Sequence, residues 1–89
     1  MISKDVTIIN RLGLHARAAA KFVQLASRFK CELQVAKDGR QVNGKSIMGV
    51  MMLSASQNTV IQILAEGEDE SQAIDEIEAL INNRFGEKE

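Results

Sequence analysis

Residues 31–43, CELQVAKDGRQVN, decide the fold class because they combine alternating apolar positions with a hairpin turn. The first half of this stretch alternates apolar and polar side chains, which is typical of a strand with one buried face. Asp38-Gly39 is a strong two-residue hairpin signal, and Arg40 to Asn43 follows it as the return strand. The stretch therefore predicts two antiparallel strands in the middle of the chain.

The segments on either side of this hairpin predict a strand and a helix before it and a short helix and a strand after it. Polar/apolar alternation predicts a strand over residues 5–9, and apolar residues at three- and four-residue intervals predict an amphipathic helix from Ala16 to Phe29. Ser46 is a candidate N-cap for a short helix that ends near Leu53. Residues 59–65 are β-branched and nearly all apolar, so we expect this strand to be the best covered, in the middle of the sheet or beside a helix.

The last element is a helix with a signal at each end. The acidic turn 66–70 places negative charge at the start of a helix that runs from about Ser71 to Phe85, with an apolar stripe at Ile74, Ile77, Ile81 and Phe85. Gly86 follows as a left-handed C-terminal cap.

The resulting order βαββαβα favours an α+β fold of the open-faced β-sandwich type. In this fold a four-stranded antiparallel sheet is covered on one face by three helices, within one domain that spans residues 1–89. A ferredoxin-like packing of the same elements is the alternative.

Composition excludes several classes of function. The net charge of -1 and the presence of three Phe without Trp or Tyr argue against nucleic-acid binding. The longest apolar run, residues 47–53, is too short to cross a membrane, and the first residues lack the apolar segment of a signal peptide. A single Cys and a single His exclude the common zinc sites, so we expect no metal and no cofactor, and a reducing cytoplasm suits the lone Cys31. Cys31 itself is interpreted as a small buried hydrophobe.

The segment Gly13-Leu14-His15-Ala16-Arg17 is the first candidate site. If the helix begins at Ala16, then His15 is its N-cap, beside the unpaired N–H groups of Ala16 and Arg17. A phosphoryl group carried on the imidazole could accept hydrogen bonds from these N–H groups and contact the Arg17 side chain. The alternative is that His15 is only a cap and Arg17 an ordinary surface charge.

Residues 39–46, GRQVNGKS, form a second candidate because they match the phosphate-binding pattern G-x-x-x-x-G-K-[ST]. Asp38-Gly39 and Arg40 to Asn43 are more typical of a turn and a return strand, and the chain is too short for the parallel sheet that supports nucleotide binding. The match is therefore interpreted as accidental.

Ser46 and the apolar residues after it form a third candidate. Ser46 is interpreted first as an N-cap, and a regulatory phosphorylation site is the functional alternative. The segment 47–53 has more apolar residues than one face of a short helix can bury, so some of them are expected to form a docking surface for partner proteins.

The two segments GLHAR (13–17) and KSIMGV (45–50) together resemble the motifs of the HPr family of the phosphoenolpyruvate-dependent phosphotransferase system. The resemblance covers essentially the whole chain. It implies that His15 accepts a phosphoryl group on Nδ1 from phosphorylated enzyme I and passes it to the A component of a permease or regulator, while Arg17 stabilises the phosphoryl group. It further implies that an HPr kinase/phosphorylase acts on Ser46, that the protein is a cytoplasmic monomer, and that the partners dock on Ala20, Ile47, Met48 and Met51.

The chain departs from the family pattern at several positions. Ala18 stands where proline is usual, and Leu12 stands where some members have a polar residue that hydrogen-bonds the imidazole. Gln24 and Ser27 stand at positions that are often basic. These departures leave two alternatives: a nitrogen-branch or purely regulatory paralogue with the same His chemistry, and a binding module that is not phosphorylated.

Overall fold

The computed structural model describes residues 1 to 89, and its elements follow the predicted order. The strands are β1 (Ile2–Thr7), β2 (Glu32–Lys37), β3 (Arg40–Asn43) and β4 (Val60–Glu66). The helices are α1 (Ala16–Ala26), α2 (Ile47–Met52) and α3 (Glu70–Asn82), and a single 3-10 turn follows at Arg84–Gly86.

The four strands form one antiparallel sheet in the order β1-β4-β2-β3. Side chains alternate between its faces, so that Val35 and Ile63, which are register partners, are buried on the helical face while Gln62 is exposed on the other. The predicted open-faced α+β sandwich is confirmed, and β4 holds the inner position expected for it. The ferredoxin-like alternative is wrong because that packing places β1 inside the sheet, whereas here β1 is an edge strand that pairs only with β4.

The hairpin predicted from residues 31–43 is present. Asp38 and Gly39 both have positive φ, 51° and 82°, and Lys37 pairs with Arg40 across the turn. Two left-handed residues in a two-residue loop make a type I′ turn, whose twist matches that of the strands it joins. The turn pairs β3 with β2, and β3 is an edge strand of the sheet. The chain then continues from β3 to Ser46.

The bounds of β1 and α1 differ from the prediction. β1 is Ile2–Thr7 rather than residues 5–9, because pairing with β4 extends to Ile2 even though Ser3 and Lys4 are polar. α1 ends at Ala26 rather than Phe29, and Phe29 reaches the core from a turn in which its N–H bonds the carbonyl of Ala26. The pattern of apolar residues predicted correctly that Phe29 is buried, but its prediction that Phe29 is helical was wrong.

The end of α3 is the largest correction. α3 is Glu70–Asn82, not Ser71 to Phe85, and Phe85 is buried although it has left the helix with φ 54°. Gly86 is left-handed as predicted, with φ 78°, but it ends this turn rather than the helix. The left-handed turn bends the chain back toward α1, where the Lys21 ammonium donates to the Phe85 carbonyl at 2.6 Å. The residues after the turn therefore return to the start of α1.

The acidic loop lies at the start of α3, as predicted, with Glu70 in the first turn, but the Asp69 carboxylate has a different role. Asp69 is at the N-cap position, but its carboxylate makes no cap hydrogen bond to α3. It accepts instead from the backbone N–H groups of Lys30 and Cys31, at 2.8 and 2.9 Å. These hydrogen bonds join two loops that are far apart in the sequence.

The core is aliphatic apart from the three phenylalanines, all of which are buried. Cys31 is buried among these apolar residues, as predicted, and its burial raises the pKa of the thiol. The thiol therefore stays protonated at neutral pH and packs as a small apolar group.

Candidate functional site

Gly13 sets the geometry of the loop that leads into α1. Its φ is 68°, and a Cβ at this position would lie 2.5 Å from the carbonyl oxygen of Ala55. The next residue, Leu14, donates its N–H to the same carbonyl at 2.9 Å. Only glycine fits this left-handed close approach, which fixes the position of His15 relative to the loop around Ala55.

His15 is the N-cap of α1, as the sequence predicted. Its backbone is extended, with φ -73° and ψ 177°, and its Nδ1 accepts from the N–H of Arg17 at 3.3 Å. The N–H of Ala16 has no partner within the protein. The side chain is 28% exposed, so the ring is partly covered but can be reached from solvent. A helix start of this kind favours an anion next to the ring.

Arg17 brings a positive charge to the same surface. Its side chain is exposed and forms no ion pair, in contrast to Arg11, which binds the Glu89 carboxylate at 2.8 Å. One open depression is lined by the charged residues and the single apolar residue around the ring, namely Arg11, Leu12, His15, Arg17, Glu87, Lys88 and Glu89. The unpaired guanidinium is therefore free to contact an anion bound at His15.

Glu87 is the residue of this site that the sequence analysis missed. Its carboxylate contacts Nε2 of His15 and accepts from the Asn10 amide at 3.0 Å. Partial burial opposes ionisation of the carboxylate, but the hydrogen bonds from Asn10 and His15 outweigh it and hold the pKa of Glu87 below its usual value. The only local signal was Gly86, which marks a chain reversal but does not identify where the tail goes.

Ser46 is the N-cap of α2, and its Oγ accepts from the N–H of Gly49 at 3.1 Å. The side chain is half-buried and forms no hydrogen bond to His15 or Arg17. The structure thus places Ser46 outside the hydrogen-bonded cluster of His15.

Part of the apolar segment after Ser46 is exposed. Val50 and Leu53 are buried, whereas Met48 is 70% exposed and Ile47 and Met51 are also exposed. α2 packs against α1, which carries the half-buried Ala20. The predicted docking residues therefore belong to two neighbouring helices.

Sequence and fold match known proteins along the whole chain. The family model described as "PTS HPr component phosphorylation site" matches residues 2–83. The Phosphocarrier protein HPr of Cupriavidus necator is 53% identical over 89 residues, which are 100% of each chain. The chain belongs to the HPr family. The resemblance inferred from the two motifs is therefore confirmed.

Solved HPr structures agree with the fold. A crystal structure of HPr from Thermoanaerobacter tengcongensis matches with a TM-score of 0.96 at 48% identity and covers 100% of both chains. A structure of an HPr dimer from the same organism matches with a TM-score of 0.79 at 49% identity, covering 98% of this chain and 100% of that one. The arrangement of four strands and three helices is thus that of solved HPr proteins.

The residues that depart from the HPr pattern differ in burial. Ala18 is fully buried against the core, and α1 still begins at Ala16 without a proline. Leu12 is 68% exposed and offers no hydrogen bond to the imidazole. The ring nitrogen Nε2 contacts Glu87 instead, so a polar partner for the ring comes from the C-terminal tail.

The match to a nucleotide-binding loop is accidental, as interpreted. Gly39 lies in the hairpin turn, and Arg40–Asn43 is strand β3 rather than a loop around a phosphate. The Lys45 ammonium donates to the Phe29 carbonyl at 2.7 Å, so it is directed into the protein.

Two further features concern ligands and membranes. No group of three or more His, Cys, Asp and Glu side chains is arranged to hold a metal ion. None of the helices combines the length and the apolar character needed to cross a membrane.

Proposed function

We propose that this member of the HPr family carries a phosphoryl group on Nδ1 of His15, taken from phosphorylated enzyme I and passed to the A component of a sugar permease or a regulator. The observation that carries the proposal is the position of the ring at the start of α1, with Nδ1 turned toward the N–H of Arg17. The family match, whose description names a phosphorylation site, supports the same chemistry.

The surroundings of Nδ1 suit a group that is held briefly and then released. A phosphoryl group on Nδ1 would take over the N–H of Arg17 and find the unpaired N–H of Ala16 beside it. Each favourable charge interaction at a helix start contributes about 0.3–1 kcal/mol when it is exposed to solvent. The Arg17 guanidinium adds a charge-assisted contact without enclosing the site. Such modest stabilisation keeps the phosphoryl group available for transfer.

The exposed apolar residues of α2 form the proposed docking surface, together with Ala20 on α1. Ile47, Met48 and Met51 present flexible apolar side chains that can adapt to several partners. Enzyme I and the A components would bind here in turn and so approach the neighbouring start of α1.

Ser46 is proposed as a regulatory phosphorylation site for an HPr kinase/phosphorylase. Phosphate on Oγ would place nearly two negative charges next to the apolar docking surface. It would therefore weaken partner binding and slow transfer at His15. Incubation with ATP and a bacterial HPr kinase/phosphorylase tests this role, because Ser46→Ala should remain unlabelled under conditions that label the wild type.

A nitrogen-branch or purely regulatory role is the second candidate. It is favoured by the exposed, uncharged side chains of Gln24 and Ser27 at positions that are often basic. Purified A components of the sugar branch and the nitrogen branch, offered separately to the phosphorylated protein, distinguish the two roles by the rate of transfer. In either role we expect a cytoplasmic monomer; the single Cys is buried, so it offers no thiol for a disulfide between chains.

The central experiment is phosphorylation with labelled phosphoenolpyruvate and enzyme I. The wild type should acquire an acid-labile, alkali-stable phosphate, as expected for phosphohistidine, whereas His15→Ala should acquire none. An HPr protein of known activity serves as the positive control. A folded wild type that stays unlabelled beside a labelled control would overturn the proposal and favour the binding module.

A further inference from the structure

The second nitrogen of the His15 ring is held by a carboxylate that is itself fixed from two sides. Glu87 contacts Nε2 through one oxygen and accepts from Asn10 Nδ2 through the other, at 3.0 Å. Asn10 is fully buried, and its Nδ2 also donates to the Gly13 carbonyl at 2.8 Å. Since both neighbours of Nδ2 are acceptors, the amide has one favourable orientation, in which its Oδ1 is left without a partner.

The tail that carries Glu87 is attached on both sides of this residue. Lys21 binds the Phe85 carbonyl before it, and Arg11 binds the Glu89 carboxylate after it. Glu87 also lies outside residues 2–83, the part of the chain that the family model matches. The two attachments hold Glu87 next to the ring.

The two contacts of the ring assign its protonation pattern. Nδ1 accepts from a backbone N–H, so it carries no proton, and the single proton of a neutral imidazole must lie on Nε2. Nε2–H then donates to the Glu87 carboxylate. We propose that Glu87 is a positioning residue, which fixes the Nε2–H tautomer and so keeps the Nδ1 lone pair available for phosphoryl transfer. This inference rests on the proposed function and deepens it.

The assignment makes the transfer steps balance without moving a proton. The Nδ1 lone pair forms the bond to phosphorus while the bond between phosphorus and the donor breaks, with its electron pair retained by the donor. The phosphorylated ring keeps its proton on Nε2 and carries a positive charge opposite the Glu87 carboxylate. When an acceptor attacks phosphorus, the electron pair of the N–P bond returns to Nδ1, and the ring leaves as neutral imidazole.

Glu87 is the only carboxylate that contacts the ring among several charged groups nearby. Arg11, Arg17 and Lys88 line the same depression, and Lys21 on α1 acts on Glu87 through its positive charge. Glu89 lines the depression too, but its carboxylate pairs with Arg11. Glu68→Gln is the matched control, because Glu68 is exposed, forms no ion pair and lies outside this depression, so its loss removes one carboxylate without touching the tail or His15.

The first test reads the tautomer in the unphosphorylated protein. Nitrogen-15 NMR of the His15 ring above pH 8 should show an unprotonated Nδ1 and a protonated Nε2 in the wild type. In Glu87→Gln the share of the Nδ1–H tautomer should increase. Glu68→Gln should match the wild type. A Glu87→Gln spectrum identical to that of the wild type would overturn the inference. This readout needs no enzyme I, so it stands even if phosphorylation fails.

The second test measures transfer and the charge of the phosphorylated ring. Glu87→Gln should reduce the rate of phosphoryl transfer about 10-fold, the scale expected when the carboxylate that orients a histidine is removed. Phosphorus-31 NMR should show that the phosphorylated ring loses its Nε2 proton at a lower pH in Glu87→Gln than in Glu68→Gln. Equal rates and equal titration in the two variants would contradict the assigned role, whereas the absence of any label in the wild type would contradict the proposed function instead.

Discussion

The starts of α1 and α2 use the same local chemistry in different surroundings. His15 Nδ1 accepts from the N–H of Arg17 at 3.3 Å, and Ser46 Oγ accepts from the N–H of Gly49 at 3.1 Å. Each helix is therefore capped by a side chain that could also carry a phosphoryl group. Around His15 lie charged groups, among them the unpaired Arg17, whereas apolar side chains follow Ser46. The comparison shows that the two caps share their backbone geometry and differ in the charge beside them, which is why we propose only the cap at His15 as the carrier of a phosphoryl group.

The largest expected effect is the loss of phosphorylation at one cap but not at the other. His15→Ala should abolish labelling from phosphoenolpyruvate, while Ser46→Ala should keep it, although each variant loses about 1 kcal/mol of stability or less through its missing cap. Labelling and urea unfolding of both variants measure the two effects separately. If His15→Ala were still labelled, His15 would not be the residue that accepts the phosphoryl group, and the proposed difference between the two caps would be wrong.

The two glycines near these caps should respond to alanine in opposite directions. Gly13→Ala adds a Cβ 2.5 Å from a backbone oxygen at positive φ, and we expect a loss of about 3 kcal/mol together with a displaced His15. At Gly49 the added Cβ has ordinary contacts of 3.4 Å, so Gly49→Ala should stabilise α2 by about 0.5–1 kcal/mol. Urea unfolding measures both changes, and a Gly13→Ala protein as stable as the wild type would disprove the steric argument.

Negative charge introduced at Ser46 should slow phosphoryl transfer at His15. Ser46→Asp keeps a capping oxygen, so the fold is retained, but it places a charge beside the exposed Met48. We expect phosphoryl transfer from enzyme I to fall about 10-fold, which corresponds to about 1.4 kcal/mol of lost partner binding. Ser46→Ala is the uncharged control. If Ser46→Asp and Ser46→Ala transfer at the same rate, the α2 surface does not sense charge.

The smallest expected effect is a pH dependence of protein stability, which Glu87 contributes at the start of α1 and no residue contributes at the start of α2. The pKa of Glu87 is lower in the folded protein than its usual value, so the ionised carboxylate stabilises the fold above that usual value, about 4.3. This contribution is lost as the pH falls through the folded-state pKa. Melting curves between pH 7 and pH 3 should show a smaller loss for Glu87→Gln than for the wild type. Parallel curves would mean that the contact with His15 does not contribute to stability.

The sequence predicted those features whose cause is local. The left-handed turn at Asp38-Gly39, the cap at Ser46 and the cap at His15 each depend on residues within three positions of one another. The inner position of β4 followed from its apolar composition. Short-range preferences are sufficient in these cases because the tertiary structure agrees with them.

The contacts that escaped prediction join residues that are distant in the sequence. Glu87 meets His15 across 72 positions, and no periodic pattern marks either partner. Phe85 continued the stripe of α3, but a left-handed turn buries it without a helix. Burial was predictable at this position because it depends on apolar character, whereas the backbone path depends on what the tail contacts afterwards.

The Asp69 carboxylate connects the loop after α1 with the loop before α3. Its two hydrogen bonds protect the amides of Lys30 and Cys31 although Lys30 is otherwise exposed. Amide hydrogens in a surface loop usually exchange with deuterium rapidly, because little opening is required. Here exchange requires that the two loops separate, and the amides of Lys30 and Cys31 should therefore report, in deuterium oxide, how often the loop before α3 moves away from the loop after α1.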